Sequence, residues 1–174
     1  MRTLSRRFVG FAMMVTLLGL MAFSGPVSAG QVDANHSYVA TFSASDEVPL
    51  NEIGTNGIAY FHINDDGQSM DYKVWVYAIN DPVAAHIHVG GIGVNGPVVV
   101  PLFSGKDTGA VSGTVSSGTI TAKDLDGPMK GKTMDDLFAA MKSGNTYFNI
   151  HTVKYAGGQA RGQIHTDENV RLGS

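Results

Sequence analysis

"GIAYFHINDDGQSMDYKVWVYAI", residues Gly57 to Ile79, carries the pattern that sets the fold. In its first arm Ala59, Phe61 and Ile63 alternate with Ile58, Tyr60 and His62, and in its second Met70, Tyr72, Val74 and Val76 recur at every other position. A period of two places each set on one face of a strand, because successive side chains leave opposite sides of the pleat. Asp65-Asp66-Gly67 between the arms supplies residues that tolerate the left-handed backbone of a tight turn. The segment reads as a β-hairpin with one buried face.

Working outward, "NHSYVATFSA" (residues 35–44) sets Tyr38, Ala40, Phe42 and Ala44 on one face of a preceding strand. Further strands are expected at 84–89, 97–103, 111–121, 146–153 and 159–166, about eight in all. One segment breaks the pattern: in "KTMDDLFAAMKSGN" (132–145), Leu137, Phe138, Ala140 and Met141 recur at helical spacing. Thr133 stands at the N-cap, Asp135 and Asp136 in the first turn, Lys142 in the last, and Gly144 where the helix should end. These elements predict an all-β fold, a Greek-key β-sandwich of about eight strands with one short inserted helix.

Residues 1–29 read as an address. Arg2, Arg6 and Arg7 precede the uncharged apolar run from Phe8 to Phe23, and Val27-Ser28-Ala29 offers small residues for cleavage. A cleaved signal peptide is expected, placing a single domain of residues 30–174 in the periplasm or outside the cell, with no stable membrane span left after cleavage. The run is also about as long as a short membrane span, so an uncleaved anchor is the competing reading. The Arg6-Arg7 pair partly matches a twin-arginine signal, which leaves the export route open.

Setting aside the three leader arginines reduces the twelve Lys and Arg to nine, against fifteen Asp and Glu, so the remaining 145 residues carry a formal net charge of −6. Nucleic acid is thereby a poor partner, since phosphate binding needs clustered positive charge. The chain has no cysteine. That excludes a disulfide framework, a thiolate zinc site and a lipid-modified N-terminal cysteine.

Several blocks together carry a family resemblance: "EVP" at Glu47 to Pro49, "AHIHVG" with "NGPVVVPLF" within residues 85–103, "DDLFAAMKSGNTYFNIHT" at 135–152, and "GGQARGQI" at 157–164. The chain resembles the CHRD domain, named for its occurrence in chordin and widespread in exported bacterial proteins, over about residues 36–165. The resemblance implies a β-sandwich, a secreted or envelope location, and a biochemical role that the family leaves poorly defined. Ala160 departs from it, standing where similar domains carry a larger aliphatic residue.

The chemistry centres on histidine. His86 and His88, two apart on a strand, point the same way at roughly 6.5–7 Å along the chain, so one ion can reach both. His151, on the strand that the resemblance sets among the family's blocks, is the expected third ligand, and His165, alternating with Gln159, Arg161 and Gln163, the weaker fourth. Neutral imidazoles without thiols suit one Cu(II) or Zn(II) ion, copper favoured outside the cytoplasm. His62 and His36 read as surface residues, although a free amino terminus near His36 would suit copper.

A second reading has His86, His88 and Asn149 as a buried polar network in a structural or adhesive domain, with outward Trp75 and Tyr77 contacting a protein partner. A third, weaker one is a mononuclear copper enzyme. The His-x-His pair resembles that of copper-zinc superoxide dismutase, but a dinuclear site of that kind would need all six histidines of this chain to converge, His36 and His62 included. No catalytic residue is assigned: there is no Gly-x-Ser-x-Gly, and "GGIGVNG" opens into a strand, not the helix a phosphate cradle requires. Asn95-Gly96-Pro97 reads as a turn built on positive φ, and Arg161 as a residue that pairs structurally with an acidic group, anchoring of an anion being the alternative.

Overall fold

The computed structural model describes residues 36–51, 54–106 and 109–167. The expected signal peptide, its expected cleavage point and the apolar run from Phe8 to Phe23 lie outside these residues. Among the described residues the strands are β1 (Ser37–Ser43), β2 (Asn56–Ile63), β3 (Ser69–Asn80), β4 (Pro82–Val89), β5 (Val98–Ser104), β6 (Ala110–Thr121), β7 (Thr146–Thr152), β8 (Ala160–Gln163) and β9 (His165–Thr166), with one α-helix, α1 (Met134–Lys142), before β7. Short 3-10 turns at Ala44–Asp46, Ala122–Asp124 and Gly127–Met129 have no counterpart in the sequence reading. No helix among the described residues is long and apolar enough to cross a membrane.

The hairpin forms as its pattern dictates. β2 and β3 pair antiparallel with Ala59 opposite Val74, Phe61 opposite Tyr72 and Ile63 opposite Met70, and this face is turned into the core. At the turn, Gly67 takes φ +61°, and the Asp66 carboxylate accepts the N–H groups of Gln68 and Ser69 at 2.8 and 3.0 Å. Trp75 and Tyr77 point outward and are exposed.

The strands form one hydrogen-bonded path, β5-β4-β7-β8-β1-β2-β3-β6, every pair antiparallel, with β9 added to β1. The all-β expectation with a single short helix therefore holds, and the two expected layers are two parts of one nearly closed sheet. At its seam the Tyr72 and Ser116 hydroxyls, from β3 and β6, both donate to the Leu102 carbonyl of β5. The core is enclosed by the sheet: Phe42 and Phe148 meet with ring centroids 4.7 Å apart, among fully buried Phe61, Met70, Ile87 and Ile150.

Helix α1 starts where its cap predicts. Thr133 Oγ1 accepts the Asp136 N–H, and the Asp136 carboxylate accepts the Thr133 N–H at 2.9 Å, two orphan donors satisfied reciprocally. It buries Met134, Leu137 and Met141 and ends at Gly144, whose φ of +69° turns the next N–H, that of Asn145, onto the Ala140 carbonyl at 3.0 Å.

The strand expected at 159–166 is interrupted at Ile164. β8 lies between β7 and β1, whereas β9 extends past the end of β7 and pairs with β1 alone, Val39 opposite His165. Ala160 faces the core opposite Ile150 with no solvent exposure, so the small residue at this position sits in closed packing.

Candidate metal centre

Strands β4 and β7 pair with His88 opposite Tyr147, His86 opposite Asn149 and Ala84 opposite His151. Strand alternation sends Ala85, Ile87, Phe148 and Ile150 into the core and leaves His86, His88, Tyr147, Asn149 and His151 on the outer face. That face is nonetheless covered, since all seven residues of β7 are buried. Three loops lie over it: Gly96 of the β4–β5 loop bonds His88, Glu47 of the β1–β2 loop bonds Asn149, and Ala156 of the β7–β8 loop bonds His151.

The loop carbonyls settle the imidazole tautomers. His88 Nδ1 lies 2.9 Å from the Gly96 oxygen and His151 Nδ1 3.0 Å from the Ala156 oxygen. A carbonyl only accepts, so in the neutral rings both protons are assigned to Nδ1 and both Nε2 atoms carry the unprotonated lone pair. His86 Nδ1 stands 3.1 Å from His151 Nε2, and His88 Nε2 is buried without a hydrogen-bond partner. One nitrogen from each of the three rings lies within 4.8 Å of the others. Two nitrogens bound at about 2.0–2.1 Å to one ion, at an angle between about 90° and 110°, stand about 2.9–3.4 Å apart. The His86–His151 spacing falls inside that range. Backbone carbonyls on the remote ring nitrogens are also how metal-ligating histidines are commonly oriented.

Burial holds all three imidazoles toward their neutral form. His86 is pushed down to about 4, chiefly by desolvation and further by the neighbouring His151 and His88. His88 and His151 are lowered by desolvation, against the opposing pull of their carbonyl hydrogen bonds. Coordination requires the unprotonated ring, so the site is already in the binding form at neutral pH.

Tyr147 is the floor of the cluster. His88 stacks on it with an interplanar angle of 13°, and its hydroxyl accepts the Gly96 N–H at 3.1 Å. Gly96 is needed for a reason other than the positive φ expected of the Asn95-Gly96-Pro97 turn. Its φ is not positive; a Cβ there would stand 1.6 Å from the Val89 oxygen, and the positive φ belongs to Gly93. Pro97 lies one residue ahead of β5, and its carbonyl accepts the Val89 N–H.

Of the four expected ligands, the structure brings together His86, His88 and His151. His165 is elsewhere: exposed on β9, its Nδ1 near the Thr166 oxygen at 3.1 Å. The alternation that suggested it is real, but the register puts residue 165 level with residue 145, six residues along from His151, or about 20 Å at strand spacing. His62 bonds Ser37 Oγ through Nδ1 and His36 is half-buried, both apart from the cluster. Arg161, expected to pair with an acidic group, instead donates to Asn95 Oδ1 and the Val94 carbonyl, both at 2.8 Å, and so ties β8 to the β4–β5 loop. Glu47, of the Glu47–Pro49 block, carries no motif that marks it as a site residue. It is buried, and both of its carboxylate oxygens accept from Asn149 Nδ2, a contact spanning 102 positions that no local pattern reveals.

A nearly closed all-β sheet that keeps three neutral imidazoles together under covering loops defines a β-domain with a candidate metal centre. The CHRD domain model matches residues 38–164, and the chain belongs to the CHRD-domain family. No curated protein and no solved structure matches the chain.

Proposed function

We propose that His86, His88 and His151 hold one divalent metal ion, Cu(II) ahead of Zn(II), in a non-catalytic domain exported to the periplasm or the extracellular space. The observation that carries this reading is His88 Nε2, a buried lone pair without a hydrogen-bond partner, beside two further imidazoles with nitrogens at ligand spacing. A buried acceptor left without a donor costs roughly 1–3 kcal/mol, and a cation removes that cost. Three nitrogen donors and no thiolate suit Cu(II), with positions left for water or a further ligand. His86 is the least buried of the three and marks the side from which an ion enters. The leader-like order of residues 1–29 supports export.

The structural or adhesive reading has one observation of its own. The 3.1 Å contact between His86 Nδ1 and His151 Nε2 is a sound hydrogen bond without any ion, so part of the cluster is self-satisfied. Calorimetric titration and thermal melting with Cu(II) and Zn(II) separate the two. The metal reading expects one ion per chain and, at a hundredfold excess over Kd, about 2.7 kcal/mol of added stability. A His86→Ala, His88→Ala double variant should lose both. Equal uptake by the two proteins, or none by either, leaves the structural reading.

A further inference from the structure

We propose that Glu47 is the counter-charge of the ion held by the three histidines, acting through Asn149. The proposal rests on the metal reading above and adds a group outside the imidazole cluster.

The Glu47 side chain is buried, and its oxygens accept from Asn149 Nδ2 at 3.2 and 3.0 Å, with the Val48 N–H on Oε1 at 3.1 Å. All of these donors are neutral. Among the described residues, two cations that the fold brings toward this loop have contacts of their own. Arg161, across the ladder from Asn149, is committed to Asn95, Val94 and the face of Tyr147, and Lys154, which shares a surface pocket with Glu47, holds its Nζ 5.3 Å from the Tyr155 ring centre. A buried carboxylate supported only by neutral donors is costly unless a positive charge accompanies it. That charge belongs on the cluster side: Asn149 shares the outer face with His151 and stands opposite His86, and the Glu47 carboxylate raises the proton affinity of His151.

Asn149 supplies a second, independent sign. It is 3% exposed, its Nδ2 is spent on Glu47, and its Oδ1 is buried with no partner. Oδ1 and His88 Nε2 are both acceptors, so neither can satisfy the other. Two orphan acceptors and an uncompensated carboxylate on one covered face all want the same thing, a cation carrying donors of its own. A hydrated divalent ion is such a group: the imidazoles bind the metal, Glu47 balances its charge, and a water on the ion donates to Asn149 Oδ1.

The test is Cu(II) titration and metal-free thermal melting of the purified wild-type protein, Glu47→Gln and Glu47→Asp. Loss of the charge should weaken Cu(II) binding about 10–100-fold, the usual effect of removing an outer partner of a metal site. Without metal, Glu47→Gln should melt at the same temperature or higher, because a buried charge is gone and the new amide N–H can donate to Asn149 Oδ1. Glu47→Asp, which keeps the charge, should hold Cu(II) more tightly than Glu47→Gln. Undiminished affinity in Glu47→Gln overturns the proposal. So does a lower metal-free melting temperature or failure to fold, either of which makes Glu47 a structural residue. If wild type takes up no Cu(II), the metal reading itself has failed; if only the Glu47 variants depart from expectation, that reading stands and this one does not.

Discussion

Arg161 sets its guanidinium carbon 3.7 Å from the centre of the Tyr147 ring, while His88 lies against the same ring with centroids 4.8 Å apart. β7 runs between β4 and β8, so the tyrosine is approached by a cation from one neighbouring strand and a candidate ligand from the other. The same guanidinium holds the loop whose Gly96 carbonyl fixes the His88 tautomer. Arg161→Leu should therefore cost about 2–4 kcal/mol in denaturant unfolding, since Asn95 Oδ1 and the Val94 oxygen lose charge-assisted donors. Arg161→Lys should recover less than half, because an ammonium cannot span both acceptors as a planar fork does.

Acid should destabilise the metal-free domain earlier than carboxylate titration alone would. The unfolded chain protonates its histidines near 6.5, whereas the folded chain resists, with His86 held at about 4 and His88 and His151 also lowered. Between those limits the unfolded state binds more protons, so stability is full above about pH 6.5 and falls as pH drops toward 4. Urea unfolding with a chelator present, at steps between pH 7.5 and 4.5, should show this slope, and His86→Ala should make it shallower. A slope unchanged by His86→Ala would show that the cluster is not its source.

Gly96→Ala should damage stability and the site together. The added carbon would stand 1.6 Å from the Val89 oxygen, so the loop must move, at a cost of about 1–3 kcal/mol or more. Movement withdraws the carbonyl from His88 Nδ1, and Cu(II) affinity should fall with the melting temperature. Gly91→Ala, in the same loop with open space where its Cβ would go, is the control that should change neither.

Secreted protein should begin at or near Gly30. The order of basic, apolar and small residues over 1–29 motivates this expectation, and mass spectrometry of the mature N-terminus checks it. Recovery of membrane-bound chain that retains Met1 would favour the anchor instead.

What could be read from the sequence divides by the range of the interaction. Alternation in Gly57–Ile79 and the cap at Thr133 are local, and both elements form as read. His86 and His88 share a face because strand geometry requires it, and the block containing His151 supplied the third ring. His165 was reached by parity without register: the structure sets it apart from the three clustered rings because its level on the sheet depends on how β8 and β9 lie along β7 and β1. Glu47 was illegible for a related reason, since its part in the site depends on a loop folding over a strand far along the chain. The joining of both expected layers into one sheet likewise depends on pairings such as β8 with β1, which no short window contains.

The convergence of Tyr72 and Ser116 on the Leu102 carbonyl gives the domain a weakest line. Elsewhere adjacent strands share a backbone ladder, but here the Leu102 oxygen of β5 is met by one hydroxyl from β6 and one from β3, and β5 and β6 each leave one margin without a ladder partner. Parting β5 from that flank breaks these two side-chain bonds and leaves every ladder intact, so the nearly closed sheet has a zip. Breathing motions should start there, on the flank formed by β5 and β6, and leave the histidine-bearing β4–β7 pair closed while the zip opens.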